Sequence, residues 1–286
     1  MTEICNFKCK GCRRSIIDVH KSKDIDLKIV QKLLSHYPQL KGFCLAGQGE
    51  PTLCRNFVEI VDYLKKRKKY VYIVTNASDI TKFLELKTAP DSISISLYGF
   101  DNDSYQRYCG LAVFDNVIEN FKVLKTKFKQ VGFSYIVSKE NYFELEKVLK
   151  LCDEIQPDFL NLVNYLAYDE NSEEEINKII NVQDVEIINH INNLLSENRA
   201  YVKSTPHYIN PDSTCFKCCS YLQAINVDGQ GNIGGCRSHI VPDSVYGNIF
   251  NEKDAFNSSE MLKLRNLAKN KTAPHDCCKY CFRREQ

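Results

Sequence analysis

From Asp26 onward two periodicities alternate along the chain. Leu27, Val30, Leu33 and Leu34 recur at helical spacing, with Asp26 placed at the helix start. The apolar run 42–46 then reads as a short buried strand. Phe57, Ile60, Val61 and Leu64 predict the next helix, and the β-branched and aromatic run 70–74 the next strand. A short helix over 80–86, a strand over 92–97 and a helix on Val117, Ile118, Phe121 and Leu124 continue the pattern. A strand over 132–137, a helix over 144–155 and a strand over 159–163 complete it. Strands alternating with helices pair in parallel through right-handed crossovers. About six such units fit before residue 170, short of the eight of a closed barrel. The expectation is an α/β fold built as an open, partial (β/α)6 barrel. Residues 1–4 supply only the end of a strand ahead of the first cysteines.

The pattern changes after residue 170. An acidic run, Glu173-Glu174-Glu175, precedes Ile187, Ile188, Ile191, Leu194 and Leu195 at helical spacing. This reads as a solvated helix start and one packing helix that closes a first domain, 1–198. Residues 201–210 read as an extended connection with Pro206 inside it and Pro211 after it. In the remainder, 199–286, an alternating arm over 221–227 meets a turn over 228–232 and returns to Cys236, which is a β-hairpin. A helix over 261–268 follows, so the second unit is a small α+β domain.

Composition narrows the class. The 286 residues carry 38 Lys and Arg against 36 Asp and Glu, a net charge of +2, so no bulk electrostatic case exists for a nucleic-acid partner. The basic run over 65–69 reads as the solvated end of its helix. No apolar run approaches the roughly 18–20 residues of a membrane span, and no hydrophobic signal segment precedes Cys5. Fourteen cysteines in such a chain point to metal chemistry in a reducing cytoplasm, not to a secreted disulfide scaffold.

The cysteines fall into two groups. Cys5, Cys9 and Cys12 form a C-x3-C-x2-C run. Three clustered thiolates hold three irons of a cubane and leave the fourth open to a substrate or cofactor. A zinc site and unconnected thiols are the other readings. The second group is Cys215, Cys218, Cys219, Cys236, Cys277, Cys278 and Cys281. Here the hairpin places one Cys before its first arm and another after its second, and 278–281 adds a C-x2-C bite. Cys215 and Cys218 with Cys278 and Cys281 would instead suit zinc. Cys44 and Cys152 read as small core residues, and Cys54 and Cys109 as loop residues without a firm role.

The first spacing resembles that of the radical S-adenosylmethionine (SAM) enzymes, although Gly11 stands where many of them carry an aromatic residue. The resemblance implies a 4Fe–4S cluster on Cys5, Cys9 and Cys12, and reductive cleavage of SAM to a 5′-deoxyadenosyl radical that abstracts hydrogen. It continues in Ala46-Gly-Gln-Gly-Glu-Pro51, similar to the segment that holds the methionyl ammonium, which assigns Gln48, Gly49 and Glu50 to SAM. Thr75-Asn76 resembles the end of the third strand, with Ala77 replacing a glycine. Ser96 lies where a polar side chain meets the ribose or carboxylate. Arg107, ahead of Gly110 and Phe114-Asp115, is placed to fork onto the SAM carboxylate. Ser138, with Asn141, falls near the adenosine.

The C-terminal cysteines resemble the auxiliary-cluster domains called SPASM and, in shortened form, twitch. Cys218, Cys236, Cys278 and Cys281 are then the ligands of a second 4Fe–4S cluster, with Cys215, Cys219 and Cys277 as adjacent alternates. The whole implies an oxidoreductase acting on a small molecule or peptide, its second cluster accepting the substrate electron. A reductase or a flavodoxin- or ferredoxin-type donor would supply the first electron. Peptide maturation or group transfer by the same first cluster, and a zinc-stabilised binding module, are the alternatives.

Overall fold

The computed structural model describes residues 1–15, 24–169, 171–210, 212–213, 223–236, 245–251, 254–275, 278 and 280–281. Six parallel strands stand side by side in chain order: β1 (Gly42–Leu45), β2 (Tyr70–Thr75), β3 (Ser92–Leu97), β4 (Val131–Val137), β5 (Leu160–Asn164) and β6 (Val202–Ser204). Helix α1 (Leu27–His36) precedes β1, and α2 (Phe57–Lys66), α3 (Thr81–Leu84), α4 (Asn102–Cys109), α5 (Phe114–Lys127), α6 (Leu145–Ile155), α7 (Glu173–Asn177) and α8 (Val185–Leu195) fill the connections. Every crossover advances one strand in the same direction, which curls the sheet into the expected partial barrel.

The alternation in β3 shows how the layers divide. Ile93, Ile95 and Leu97 are buried with Phe133, Leu160 and Leu162 of the neighbouring strands in the main core, together with Phe57, Ile60, Phe121 and Leu149 of the helices. The serines of β3 point the other way. Ser94 bonds Ser134 of β4 at 2.9 Å, and Ser96 stands in register with Ser134. Helix starts follow local chemistry. Asp26 accepts from the Lys28 N–H at 2.7 Å, and Asp101 and Ser104 form a capping box on α4, which ends at Gly110 with φ +79°.

Several expectations change. Residues 1–4 do not enter the six-stranded sheet. They run beside the loop after β1, with the Met1 amine on the Ala46 carbonyl at 3.0 Å, Gly49 N–H on Thr2 at 3.0 Å and Glu50 N–H on Ile4 at 2.8 Å. The sixth strand, β6, lies in the segment read as an extended connection and falls past residue 198. Cys44 is exposed because β1 is the sheet edge, whereas Cys54, Cys109 and Cys152 are buried. The end of α2 is not simply solvated. Lys65 pairs with Asp91 at 2.5 Å, and Lys69 donates to the Leu40 carbonyl at 2.5 Å.

The C-terminal unit is a three-stranded antiparallel sheet, β7 (Asn226–Val227), β8 (Asn232–Gly234) and β9 (Val245–Asn248), with α9 (Ser259–Lys269) beside it. The expected turn joins β7 and β8: Asp228 Oδ1 accepts from the N–H groups of Gln230 and Asn232, and Gly231 takes φ +81°. β9 adds a strand that periodicity did not predict. Ile233 and Ile249 join the main core. Tyr37, at the end of α1, donates to Asp254 at 3.2 Å, accepts from Phe256 N–H at 3.0 Å and meets the Phe256 ring edge-on. Among the described residues no helix is long and apolar enough to cross a membrane.

Candidate functional site

The cysteine loop lies across residues that leave the C-terminal ends of the strands, where parallel α/β sheets bind ligands. Cys5 lies 4.0 Å from the Asn76 amide after β2. The Cys9 thiol takes a hydrogen bond from Tyr98 after β3. Lys8 and Lys10 N–H groups donate to the Cys109 and Tyr108 carbonyls at the end of α4, at 3.3 and 2.8 Å. Arg14, in the 3₁₀ turn Arg13–Ser15, reaches back to the carbonyls of Cys5 at 3.5 Å and Phe7 at 3.3 Å.

Electrostatics make this loop a poor home for free thiolates. Burial pushes the Cys5 thiol up, with Glu50 and Cys12 adding like charge. Burial pushes Cys9 up to about 12, and Cys109, Cys12 and Cys5 oppose its ionisation further. A bound cation reverses that balance, because it stabilises thiolates in partly desolvated surroundings. The donor set therefore fits an iron–sulfur cluster, whose thiolates bind different irons. Among the described residues no three His, Cys, Asp or Glu side chains gather as ligands of a single ion.

Beside the loop, Glu50 is 3% exposed and its carboxylate is fully engaged. Oε1 accepts from Thr75 Oγ1 at 2.6 Å, Thr52 Oγ1 at 3.0 Å and Thr52 N–H at 3.2 Å, and Oε2 from Asn76 N–H at 2.7 Å. Burial nevertheless raises its pKa above the ordinary carboxyl value, against the pull of those donors. Glu50 thus ties the loop after β1 to the end of β2. Gly49 permits this path, since a Cβ there would overlap the Ile4 carbonyl. Gln48 is half-buried. Asn76 donates to Asn6 Oδ1 at 2.9 Å and accepts from Ser78 N–H at 2.9 Å.

The other predicted residues separate. Ser96 reaches the Tyr98 hydroxyl, which places it one step from Cys9. Arg107 is exposed and paired with Glu144 at 2.6 Å. Ser138 is buried, its N–H and hydroxyl both directed at Asn141 Oδ1, at 2.7 and 3.2 Å. Two residues escaped sequence reasoning. Tyr98 packs between Phe7, Tyr105 and Tyr108, and its signal was its position two residues after Ser96, just past the end of β3. Tyr165, just past β5, occupies the space beside Gly11, where any Cβ would overlap its hydroxyl. Gly11 has φ +64°. The Tyr165 hydroxyl is held by Glu175, which pairs with Lys178 at 2.7 Å.

In the second group, Cys236 is buried against Met261, Leu264 and Ala268 of α9. Cys278 is buried, with its N–H on the His275 carbonyl at 3.0 Å, and the Cys281 N–H turns back onto the Cys278 carbonyl at 3.2 Å. Tyr280, inside that bite, packs against the small core of Tyr165, Ala167, Ile179 and Ile209. Cys218 and the alternates Cys215, Cys219 and Cys277 lie outside the described residues.

Comparison with known proteins agrees with this geometry. The family model described as the Radical SAM superfamily matches residues 1–152. Curated relatives from Saccharolobus islandicus and Saccharolobus solfataricus, each named probable GTP 3',8-cyclase, are 29% identical over 170 residues and 30% over 169. Each match takes in 57% of this chain and 54% of the relative, so the chain spans about half the length of the curated relatives it matches. Streptococcus suis SuiB bound to precursor peptide SuiA superposes with TM-score 0.75 over 98% of this chain and 69% of that one, at 16% identity. Native anSMEcpe with bound AdoMet does so with TM-score 0.72 over 98% and 86%, at 18% identity, and both likenesses concern the fold. With a family match across more than half its residues, taking in the cysteine loop and strands β1 to β4, the chain belongs to the radical SAM superfamily of iron–sulfur enzymes.

Proposed function

We propose that this chain is a radical SAM oxidoreductase that abstracts hydrogen from a small-molecule or peptide substrate. The observation that carries the reading is the loop of Cys5, Cys9 and Cys12, all half-buried, set beside Asn76 and the Glu50 network at the mouth of the sheet. These three residues would hold a 4Fe–4S cluster. When bound, that group supplies the electron that splits SAM and so yields the 5′-deoxyadenosyl radical. The protein's own task is to bind, orient and exclude water. Gln48 and Gly49 present the backbone of the loop after β1 to SAM, and Glu50, its acceptor sites already filled, fixes that loop. Asn76 and Ser96 border the cysteines, Ser96 through Tyr98. Ser138 serves the adenosine side. Arg107 takes the SAM carboxylate by exchanging Glu144 for it, a swap between charge-assisted pairs.

In the same proposal Cys218, Cys236, Cys278 and Cys281 form a SPASM- or twitch-type site for a second 4Fe–4S cluster that accepts the substrate electron. Burial of Cys236 and Cys278 in one small unit supports this. A reductase or a flavodoxin- or ferredoxin-type protein in the cytoplasm would feed the first cluster. Both substrate classes stay in view: the curated relatives are named for GTP cyclisation, whereas the solved relative SuiB was captured with a precursor peptide. The test is anaerobic reconstitution followed by SAM turnover. Changing Cys5, Cys9 and Cys12 together to Ala should remove about four irons per chain and abolish 5′-deoxyadenosine release. Release at the parent rate from that variant would overturn the assignment.

A further inference from the structure

We propose that Arg14 acts as an electrostatic positioning residue for the cysteine loop, its fixed positive charge raising the reduction potential of the cluster held there. The proposal rests on the reading that Cys5, Cys9 and Cys12 hold that cluster. Arg14 follows Cys12 by two residues, and the 3₁₀ turn Arg13–Ser15 folds its side chain back over the start of the loop. One guanidinium nitrogen, Nη1, faces the carbonyl oxygens of Cys5 and Phe7, at 3.5 and 3.3 Å. Among the described residues Nε is buried without a hydrogen-bond partner. Among the described residues no carboxylate pairs with Arg14, whereas Arg55, Arg107 and Arg199 all have one.

The sign follows from charge alone. A guanidinium stays protonated at every working pH, so its charge is constant. Reduction adds one negative charge to a group already held by three thiolates. A nearby fixed cation stabilises the more negative form more, and burial of the loop limits screening. Charge and hydrogen bonding beyond the ligands are established levers on cluster potential. Arg14 therefore makes the cluster easier to reduce by a low-potential one-electron donor, and its contacts to two carbonyls keep the charge in place.

The experiment is a redox titration of reconstituted protein with titanium(III) citrate, following the electron paramagnetic resonance signal of the reduced cluster. The variants are Arg14→Gln and Arg14→Lys, with Arg67→Gln as a charge-loss control on the exposed end of α2, where the guanidinium stacks on Tyr63. At the potential that half-reduces the parent, the reduced-to-oxidised ratio of Arg14→Gln should fall about tenfold, equivalent to about 59 mV for one electron. Arg14→Lys and Arg67→Gln should stay within about threefold of the parent. An Arg14→Gln ratio within threefold of the parent overturns the proposal, and so does an Arg14→Lys ratio as low as that of Arg14→Gln. If Arg14→Gln takes up no iron, Arg14→Lys decides: a parent-like ratio supports the role of charge and a tenfold fall refutes it. A parent chain that binds no iron–sulfur cluster would refute the cluster reading itself, which is a separate failure.

Discussion

Replacing Glu50 by Gln tests whether the network at the end of β2 holds the loop after β1. The carboxylate accepts from two hydroxyls and two backbone N–H groups, those of Thr52 and Asn76. The Thr52 and Thr75 hydroxyls can rotate to suit an amide, but the two N–H groups cannot. Whichever way the Gln amide turns, its NH₂ faces one of them. One stranded buried donor costs about 1–3 kcal/mol. The lost charge-assisted bonds add to that cost, and release from burying a carboxylate offsets them, because burial already raises the Glu50 pKa. A net loss of about 2 kcal/mol follows, and at roughly 2–4 °C per kcal/mol the melting temperature should fall by about 4–8 °C. Glu50→Ala strands both N–H groups and should lose about twice as much. The pH dependence has a definite sign. A raised folded pKa gives stability that is complete below the unfolded carboxyl pKa and lost as pH rises through the folded one. The parent's advantage over Glu50→Gln should therefore shrink as pH climbs past the ordinary value of 4.5. Thermal unfolding of the apo-protein under anaerobic conditions measures both effects. A Glu50→Gln variant that melts with the parent, or a gap that widens with pH, would refute the reasoning.

Two further outcomes concern the cysteine groups. Gly11→Ala should cut iron uptake at the first site several-fold, because a left-handed backbone costs an L-residue about 1–2 kcal/mol and the new Cβ overlaps Tyr165. Adding Tyr165→Ala should restore part of the uptake, and parent-like iron in the single variant would refute the steric account. A double variant lacking Cys278 and Cys281 should still release 5′-deoxyadenosine, with less oxidised product per molecule released once a substrate is in hand. An unchanged product ratio would refute the electron-accepting role proposed for a cluster at that site.

Most of the barrel was legible because its strands carry a recognisable apolar pattern, β1 and β2 as short runs and β3, β4 and β5 with apolar residues at alternate positions. The sixth, Val-Lys-Ser at 202–204, has one apolar residue in three and among the described residues pairs along β5 alone, with a register shift. No periodicity could mark it. Cys44 misled for a related reason: its neighbours are apolar, but whether a strand is central or an edge is set by topology. Strand β9 carries Tyr, Gly and Asn and is defined by its partner β8, not by its own pattern.

The site was legible wherever residues close in sequence carry it, and illegible where distant segments meet. Two departures from the family pattern show the difference. Gly11 looked like a missing aromatic. In the fold it is the vacancy into which Tyr165, more than 150 positions later, places its ring. The side chain given up by the loop is supplied from the end of β5, and Tyr280 of the second cysteine group packs on the core to which Tyr165 belongs. Ala77 is the reverse case. It keeps a Cβ at φ +52°, where glycine would be unstrained. Its N–H is held by Thr75 Oγ1 at 3.0 Å and its carbonyl by the Asn120 amide at 2.8 Å. The same Thr75 hydroxyl donates to Glu50. A strained turn is therefore fixed by the network that fixes the loop after β1, so that loosening Glu50 should also release Ala77.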